Sequence, residues 1–163
     1  MIILGIDPGK SGGISIITDK YVDSYPMPVA GKDIDMSTIA ILLSTVKSQR
    51  EEYESMLCYI EKVHAMPQQG VSSTFNFGFT TGALHGLVAA FGIPRYTVTP
   101  QAWKKVVLEG TKKDKQAAID YCRMAYPDVS LLATKRSRVC HDGMADSLCI
   151  ATYGRMKHGN SRQ

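Results

Sequence analysis

Paired cysteines, long apolar runs and tryptophan are scarce in this sequence. Its 163 residues include four cysteines and one tryptophan. The cysteines lie far apart and form no Cys-x-x-Cys pair, so we expect reduced and mostly buried thiols. The stretch from Pro67 to Pro94 contains no Asp, Glu, Lys or Arg, but its apolar part is shorter than the roughly 20 residues that a membrane span needs.

A secretory signal pattern, which is a basic segment followed by a long apolar stretch, is also missing. We therefore expect a cytoplasmic protein with no membrane association. A chain of about 150 residues usually forms one core. We expect a single domain over residues 1–163 that folds without a disulfide or a metal.

The charge is distributed unevenly along the chain. The formal net charge is +4, and residues 95–138 hold ten of the nineteen basic side chains but four of the fifteen acidic ones. Residues 1–94 carry a net negative charge. A basic segment in an otherwise near-neutral domain indicates a polyanionic partner, although a solvated surface explains it equally well.

Short apolar runs separated by turn residues predict an α/β domain. Three runs within residues 2–25 predict an antiparallel meander, and two later strands are predicted at Met56–Ile60 and Tyr96–Val98. Apolar residues at helical spacing predict the helices Asp35–Arg50, Gln69–Phe91, Gln101–Leu108, Lys112–Tyr126 and Asp142–Met156. This order favours a mixed five-stranded sheet with helices on both faces.

Four carboxylates stand where such a fold would bring them together. Asp7 ends the first strand and Glu61 ends the fourth, while Asp142 and Asp146 lie four residues apart on one face of the last helix. A cluster of this kind needs counter-charge, which a hard divalent cation such as Mg²⁺ supplies through oxygen ligands. Two such ions about 4 Å apart would stabilise the attacking and leaving oxygens of phosphodiester hydrolysis.

Each carboxylate also has an ordinary structural explanation. Asp7 fits an Asp-Pro-Gly turn, Glu61 fits a solvated strand end, and Asp142 fits the N-cap of the last helix. Asp146 is harder to explain in this way, because its neighbours in sequence are apolar. His141 is a minor candidate for a ligand. The glycines after Asp7 are interpreted as tight-turn residues that let a substrate backbone approach that carboxylate.

Three motifs in order resemble the RuvC family of Holliday-junction resolvases. They are Ile-Leu-Gly-Ile-Asp7-Pro-Gly, a strand ending in Glu61, and His141-Asp142-Gly-Met-Ala-Asp146-Ser-Leu-Cys-Ile-Ala. Thr99-Pro-Gln-Ala-Trp-Lys-Lys fits as well, so the resemblance covers almost the whole chain. In bacterial members the two helix acids are three residues apart rather than four. The wider spacing resembles phage-type or divergent branches and leaves open whether His141 or Asp142 takes the third position.

The resemblance implies an RNase H-like fold and a homodimer, acting in a bacterial cell or a phage-infected host. It implies nicking of branched DNA, such as a four-way junction, in two strands of like polarity. Asp7, Glu61, Asp142 and Asp146 would bind Mg²⁺ or Mn²⁺, two ions in each site. We expect activated water to attack a phosphodiester and leave a 5′-phosphate and a 3′-hydroxyl.

Basic and aromatic residues give candidate DNA contacts. Five lysines lie close together in sequence, namely Lys104, Lys105, Lys112, Lys113 and Lys115. We expect them to bind phosphates. The resemblance to the RuvC family implies that Lys104 and Lys115 lie near the scissile phosphate. Phe75 is a candidate for stacking in the opened junction centre, and Phe79 is expected to pack in the core.

Glycines recur every fourth residue in the predicted helix Gln69–Phe91, at Gly78, Gly82 and Gly86. Their spacing favours close approach of another backbone, either the sheet or a second subunit, so we expect this helix at the dimer interface.

Three other functions compete with junction resolution. A less selective RNase H-like nuclease, acting on other branched DNA, RNA or hybrids, would use the same acids. A DNA-binding module without catalysis would use only the basic segment. An ATPase of the actin or sugar-kinase type needs a second lobe and a second phosphate loop, for which 163 residues leave no room, so no nucleotide cofactor is expected.

Overall fold

The apolar runs predicted as strands form a mixed sheet in the computed structural model, which describes residues 1–52, 54–63 and 70–159. The strands are β1 (Ile2–Asp7), β2 (Gly13–Ile17), β3 (Val22–Pro26), β4 (Val29–Ala30), β5 (Asp33–Ile34), β6 (Met56–Glu61) and β7 (Arg95–Val98). Five of them form one sheet in the order β3-β2-β1-β6-β7, and β4 pairs with β5 in a separate hairpin. That hairpin was not predicted, because strands of two residues are too short to show alternation.

Strand direction fixes which residues meet at each edge of the sheet. The first three strands are antiparallel to one another, whereas β6 is parallel to β1 and β7 is parallel to β6. Ile6 lies opposite Ile60 in the parallel pair, so β1 and β6 end at the same edge. The predicted α/β architecture, a five-stranded mixed sheet with an antiparallel meander, is confirmed.

Helices cover both faces of the sheet, as predicted. They are α1 (Met36–Ser48), α2 (Val71–Ala90), α3 (Pro100–Val107), α4 (Lys115–Ala125) and α5 (Asp142–Gly159). Side chains alternate along β1: Leu4 and Ile6 pack with α1 and α2, while Ile3 packs with the other three helices. Burial of these two apolar layers is the main stabilising contribution.

Polar side chains set the starts of several helices. Asp35 accepts hydrogen bonds from the backbone N–H groups of α1, and Thr99 and Asp114 do the same for α3 and α4. Helix α2 has no such cap, although Ser72, Ser73 and Thr74 stand near its start, because these residues lie inside its first turn and Gly70 occupies the cap position with no side chain to accept a bond. The predicted start at Gln69 lies outside the described residues.

Helix α5 lies almost directly on the backbone of β1 and β2. A Cβ added at Gly5 would lie 2.1 Å from the carbonyl oxygen of Ser147, and one at Gly143 would lie 2.1 Å from that of Ser11. A Cβ at Gly12 would lie 2.0 Å from the carbonyl oxygen of Asp7. The turn glycines are therefore required by the turn itself, as interpreted, and by α5, while the approach of a substrate backbone to Asp7 stays a prediction.

Two further sequence expectations concern cysteines and membrane spans. All four cysteines are free, and Cys58, Cys122 and Cys149 are buried, as expected. In the described residues no helix is long and apolar enough to cross a bilayer.

Candidate active site

The carboxyl edge of the central strands places two acids side by side. Asp7 is the last residue of β1 and Glu61 the last of β6, and these strands are parallel neighbours in register. Both side chains are half-buried. The predicted approach of these two acids therefore follows from strand pairing alone.

The start of α5 brings the other two acids to the same edge. Asp142 is the first residue of α5, and Asp146 follows one turn later on the same face. His141 caps the helix, since its Nδ1 accepts a hydrogen bond from the backbone N–H of Met144 at 3.3 Å. The alternative in which Asp142 serves as the N-cap is therefore wrong, and its carboxylate has another partner.

Electrostatic coupling shows that the four carboxylates converge. Burial, followed by the charges of Glu61, Asp146 and Asp142, raises the pKa of Asp7 to about 8. Burial raises the pKa of Asp146 to about 6, with Glu61 and Asp142 also raising it and Lys104 and Lys115 lowering it. Such carboxyl groups need protons or cations to balance them.

Two lysines supply part of the counter-charge. The Lys115 ammonium donates to Oδ2 of Asp142, and this hydrogen bond is the main cause that holds the pKa of Asp142 below its usual value. The positive charge of Lys104 partly offsets the rise in the pKa of Glu61 and of Asp146 that burial causes. Both lysines were expected near the reacting phosphate, and both lie beside the acids.

Glu61 has a partner that sequence reasoning missed. The indole Nε1–H of Trp103, on α3, donates to Oε2 of Glu61 at 2.7 Å, and Trp103 is fully buried. From the sequence alone, Trp103 was notable only as part of the Thr99-Pro-Gln-Ala-Trp-Lys-Lys motif. Its position in the sequence could have indicated this contact. The Thr99-Pro-Gln-Ala-Trp segment directly follows β7, and β7 is the neighbour of the strand that ends in Glu61.

The fit of this edge to a metal ion rests on its donor chemistry. Across the described ranges, no three His, Cys, Asp or Glu side chains stand close enough together to form a ready ligand set. Glu61 accepts a hydrogen bond from Trp103, and Asp142 accepts one from Lys115. However, Oδ1 of Asp146 is buried without a hydrogen-bond partner, and all four acids offer the hard oxygen ligands that Mg²⁺ prefers. The residues therefore fit a divalent cation, provided that the exposed Lys115 releases Asp142.

Four of the five predicted DNA-contacting lysines line two surface depressions, and the fifth, Lys115, lies beside Asp142. Lys104, Lys105 and Lys113 line a groove of about 520 Å³ beside α3. Lys112 lines a different depression, at the start of α4. A further basic surface was not predicted from the sequence: Lys135, Arg136 and Arg138 are exposed on the loop that leads into α5. None of the three forms an ion pair with a described residue. We call these three residues the basic loop.

The aromatic residues of α2 point in two directions. Phe75 and Phe79 are each 70% exposed and stack on one another with ring centroids 6.4 Å apart, so the expectation that Phe79 packs in the core is wrong. Phe77, on the opposite side, is half-buried near Gly9 of the β1–β2 turn. Residues four apart share a helix face, whereas residues two apart do not.

The glycines of α2 also face outward. A Cβ added at Gly78, Gly82 or Gly86 would meet no described atom within 4 Å, so the sheet does not approach them. The structure therefore excludes the sheet as the element that approaches these glycines, and approach by a second subunit stays a prediction. Together with Phe75 and Phe79, these glycines form what we call the α2 outer face.

The fold has clear structural neighbours although sequence comparisons found none. No protein-family model and no curated protein matches the chain. Thermus thermophilus RuvC in complex with a Holliday junction substrate aligns with a TM-score of 0.63 and 18% identity, covering 98% of this chain and 96% of that one. A second structure of Thermus thermophilus RuvC aligns with a TM-score of 0.58 and 17% identity, covering 98% and 97%. The chain therefore has the RNase H-like fold of RuvC, which confirms the fold that the motifs implied.

Proposed function

We propose that this chain, as one nuclease domain over residues 1–163, resolves four-way DNA junctions by paired, metal-dependent hydrolysis of phosphodiesters. The observation that supports this is a set of four electrostatically coupled carboxylates on the RuvC fold, one structure of which holds a Holliday junction substrate. The free thiols suit the reducing cytoplasm, where we propose that it acts.

In this proposal Asp7, Glu61, Asp142 and Asp146 hold two divalent cations, Mg²⁺ or Mn²⁺. Bound there, such ions supply the positive charge that activates a water molecule and stabilises the reacting phosphate. Lys104 and Lys115 sit beside the acids and would pair with oxygens of the scissile phosphate. Cleavage would leave a 5′-phosphate and a 3′-hydroxyl.

A cleavage assay tests the proposed function. The protein is incubated with a labelled four-way junction, the matching linear duplex and an RNA–DNA hybrid, each with and without Mg²⁺. We expect paired nicks on the junction that require metal, and an Asp146→Asn variant that binds the junction without cutting it. Equal cutting of the duplex or the hybrid would instead indicate a less selective nuclease. Binding without cutting in any metal would indicate a DNA-binding module.

We also propose that the protein is a homodimer that pairs through the α2 outer face, because two equivalent cuts need two equivalent sites. Exposed Phe75 and Phe79 lie on the face that the outward glycines leave open. For Phe75 this role is an alternative to stacking at the junction centre, because a side chain covered by a second subunit cannot also stack on a base.

Gly82→Leu is expected to weaken the dimer at least about tenfold, which corresponds to about 1.4 kcal/mol. The new side chain meets no described atom of its own chain within 4 Å of the Cβ, so the monomer should tolerate it. Sedimentation velocity over a concentration series measures the change. Ser44→Leu on the exposed face of α1 is the matched control. A dimer constant equal in both variants would exclude this interface.

The basic loop is proposed as a second phosphate contact, since it leads directly into Asp142. Changing its three residues, Lys135, Arg136 and Arg138, to Gln is expected to lower the slope of log affinity against log salt by up to about 3, at about 0.9 per contact. Fluorescence anisotropy with a labelled junction in EDTA gives the slope. The control changes Lys20, Arg50 and Lys157 to Gln, which removes the same charge at the opposite edge of the sheet. Equal slopes for both triple variants would count against the basic loop.

A further inference from the structure

The indole of Trp103 joins the helical layer to one acid of the site. Its Nε1–H donates to Oε2 of Glu61 at 2.7 Å, and no part of the residue is exposed. An indole nitrogen can only donate, and a buried donor left without an acceptor is destabilising. The hydrogen bond therefore constrains the side chains of both Trp103 and Glu61, because solvent water does not reach the buried indole as an alternative acceptor.

Short connections hold Trp103 firmly in place. Helix α3 follows β7 directly, with Thr99 accepting from the backbone N–H of Ala102 and Pro100 in the first helical position. The indole packs in the core cluster that includes Leu148 and Cys149 of α5. The donor therefore reaches the end of β6 from a rigid element rather than from a loop.

We infer that Trp103 is a positioning residue, whose indole N–H holds one oxygen of Glu61 in place and leaves the other free for a divalent cation. This inference rests on the proposed function, because it takes Glu61 as a metal ligand. A free Glu side chain loses rotamer entropy when it is ordered by a bound cation. A side chain already held by Trp103 has less to lose when a cation binds.

The surroundings of the carboxylate agree with this role. The indole N–H places the positive end of its dipole beside Oε2 of Glu61. The ammonium of Lys104 also lies 5.2 Å from the centre of the Trp103 ring. One indole therefore contacts both an acid of the site and a lysine of the groove beside α3.

The single tryptophan allows a test that alters one atom. Growth with benzothienylalanine replaces the indole N–H of Trp103 with sulphur, which keeps the ring shape and affects no other residue. We expect the dissociation constant for Mn²⁺, measured by calorimetry without DNA, to rise about tenfold. Junction affinity in EDTA should stay unchanged. Trp103→Phe, which also lacks the donor, should weaken Mn²⁺ binding at least as much.

A double-substitution cycle separates positioning from packing. Glu61→Gln alone should weaken Mn²⁺ binding, and the sulphur analogue should add no further loss in that background. A residue that only packed would change the melting temperature and leave the Mn²⁺ constant as it was, which would overturn the inference. A natural protein that binds no Mn²⁺ would overturn both the inference and the metal dependence. Weaker Mn²⁺ binding by the analogue, in a protein that does not cut junctions, would sustain the inference and reject the proposed function.

Discussion

Asp7→Asn is expected to abolish junction cleavage and at the same time to stabilise the metal-free protein. Loss of one oxygen anion from the site should lower the cleavage rate by at least about 10³-fold, since an amide is a weaker ligand for Mg²⁺ and leaves less negative charge to hold it. The stability gain follows mainly from burial and then from crowding, because Asp7 is a half-buried carboxylate that lies close to three others.

The stability effect should depend on pH in a defined direction. The pKa of Asp7 is about 8 in the folded protein and about 3.8 without the fold, mainly because of burial. Between these values the folded state holds a proton that the unfolded state has lost, so the free energy of unfolding falls as pH rises. One pKa unit corresponds to about 1.4 kcal/mol, so the loss by about pH 8 is on the order of a few kcal/mol. Asparagine does not ionise and should remove most of this slope.

Thermal unfolding in EDTA across this pH range measures the effect. The melting temperature of Asp7→Asn should exceed that of the natural protein most clearly at the alkaline end. Mg²⁺ should then raise the melting temperature of the natural protein more than that of the variant. Exposed Asp128→Asn serves as the control and should follow the natural protein throughout. A variant less stable than the natural protein in alkaline EDTA would refute the crowding of these carboxylates.

The acids of the site could be predicted because each stands in a short sequence pattern that fixes its place on a strand or a helix. Asp7 and Glu61 end apolar runs that pair in parallel, and helical spacing places Asp142 and Asp146 on one face. The partners of these acids could not be predicted in the same way. Trp103 reaches Glu61, and Lys115 reaches Asp142, only because of how α3 and α4 pack on α5, and residue spacing does not record packing angles.

The aromatic residues of α2 show a second limit of sequence reasoning. Helical periodicity puts Phe75 and Phe79 on one face and Phe77 on the other, but it does not say which face meets the sheet. The stretch lacks charged residues, so neither face is marked as solvent-exposed. The structure turns the pair outward together with the glycines, which is why the prediction for Phe79 was wrong.

Gly143→Ala is expected to destabilise the protein strongly for so small a substitution, because α5 begins in contact with the β1–β2 turn. The added Cβ would lie 2.1 Å from the carbonyl oxygen of Ser11 and 2.6 Å from Cα of Gly12, both of them backbone atoms that cannot rotate away. Overpacking of this kind costs about 3 kcal/mol, which lowers the melting temperature by roughly 6–12 °C in a chain of this size.

The same substitution should also impair the site, since Gly143 lies between Asp142 and the turn of α5 that carries Asp146. Moving the start of α5 away from β1 separates these acids from Asp7 and Glu61, so the Mg²⁺ concentration needed for half-maximal cleavage should rise. Gly159→Ala is the matched control: it lies on the same helix, but its Cβ would meet no described atom within 4 Å. There alanine should stabilise the helix by up to about 1 kcal/mol. Equal melting temperatures for the two variants would mean that α5 does not lie directly on the turn, and the convergence of the four acids would then lose its structural basis.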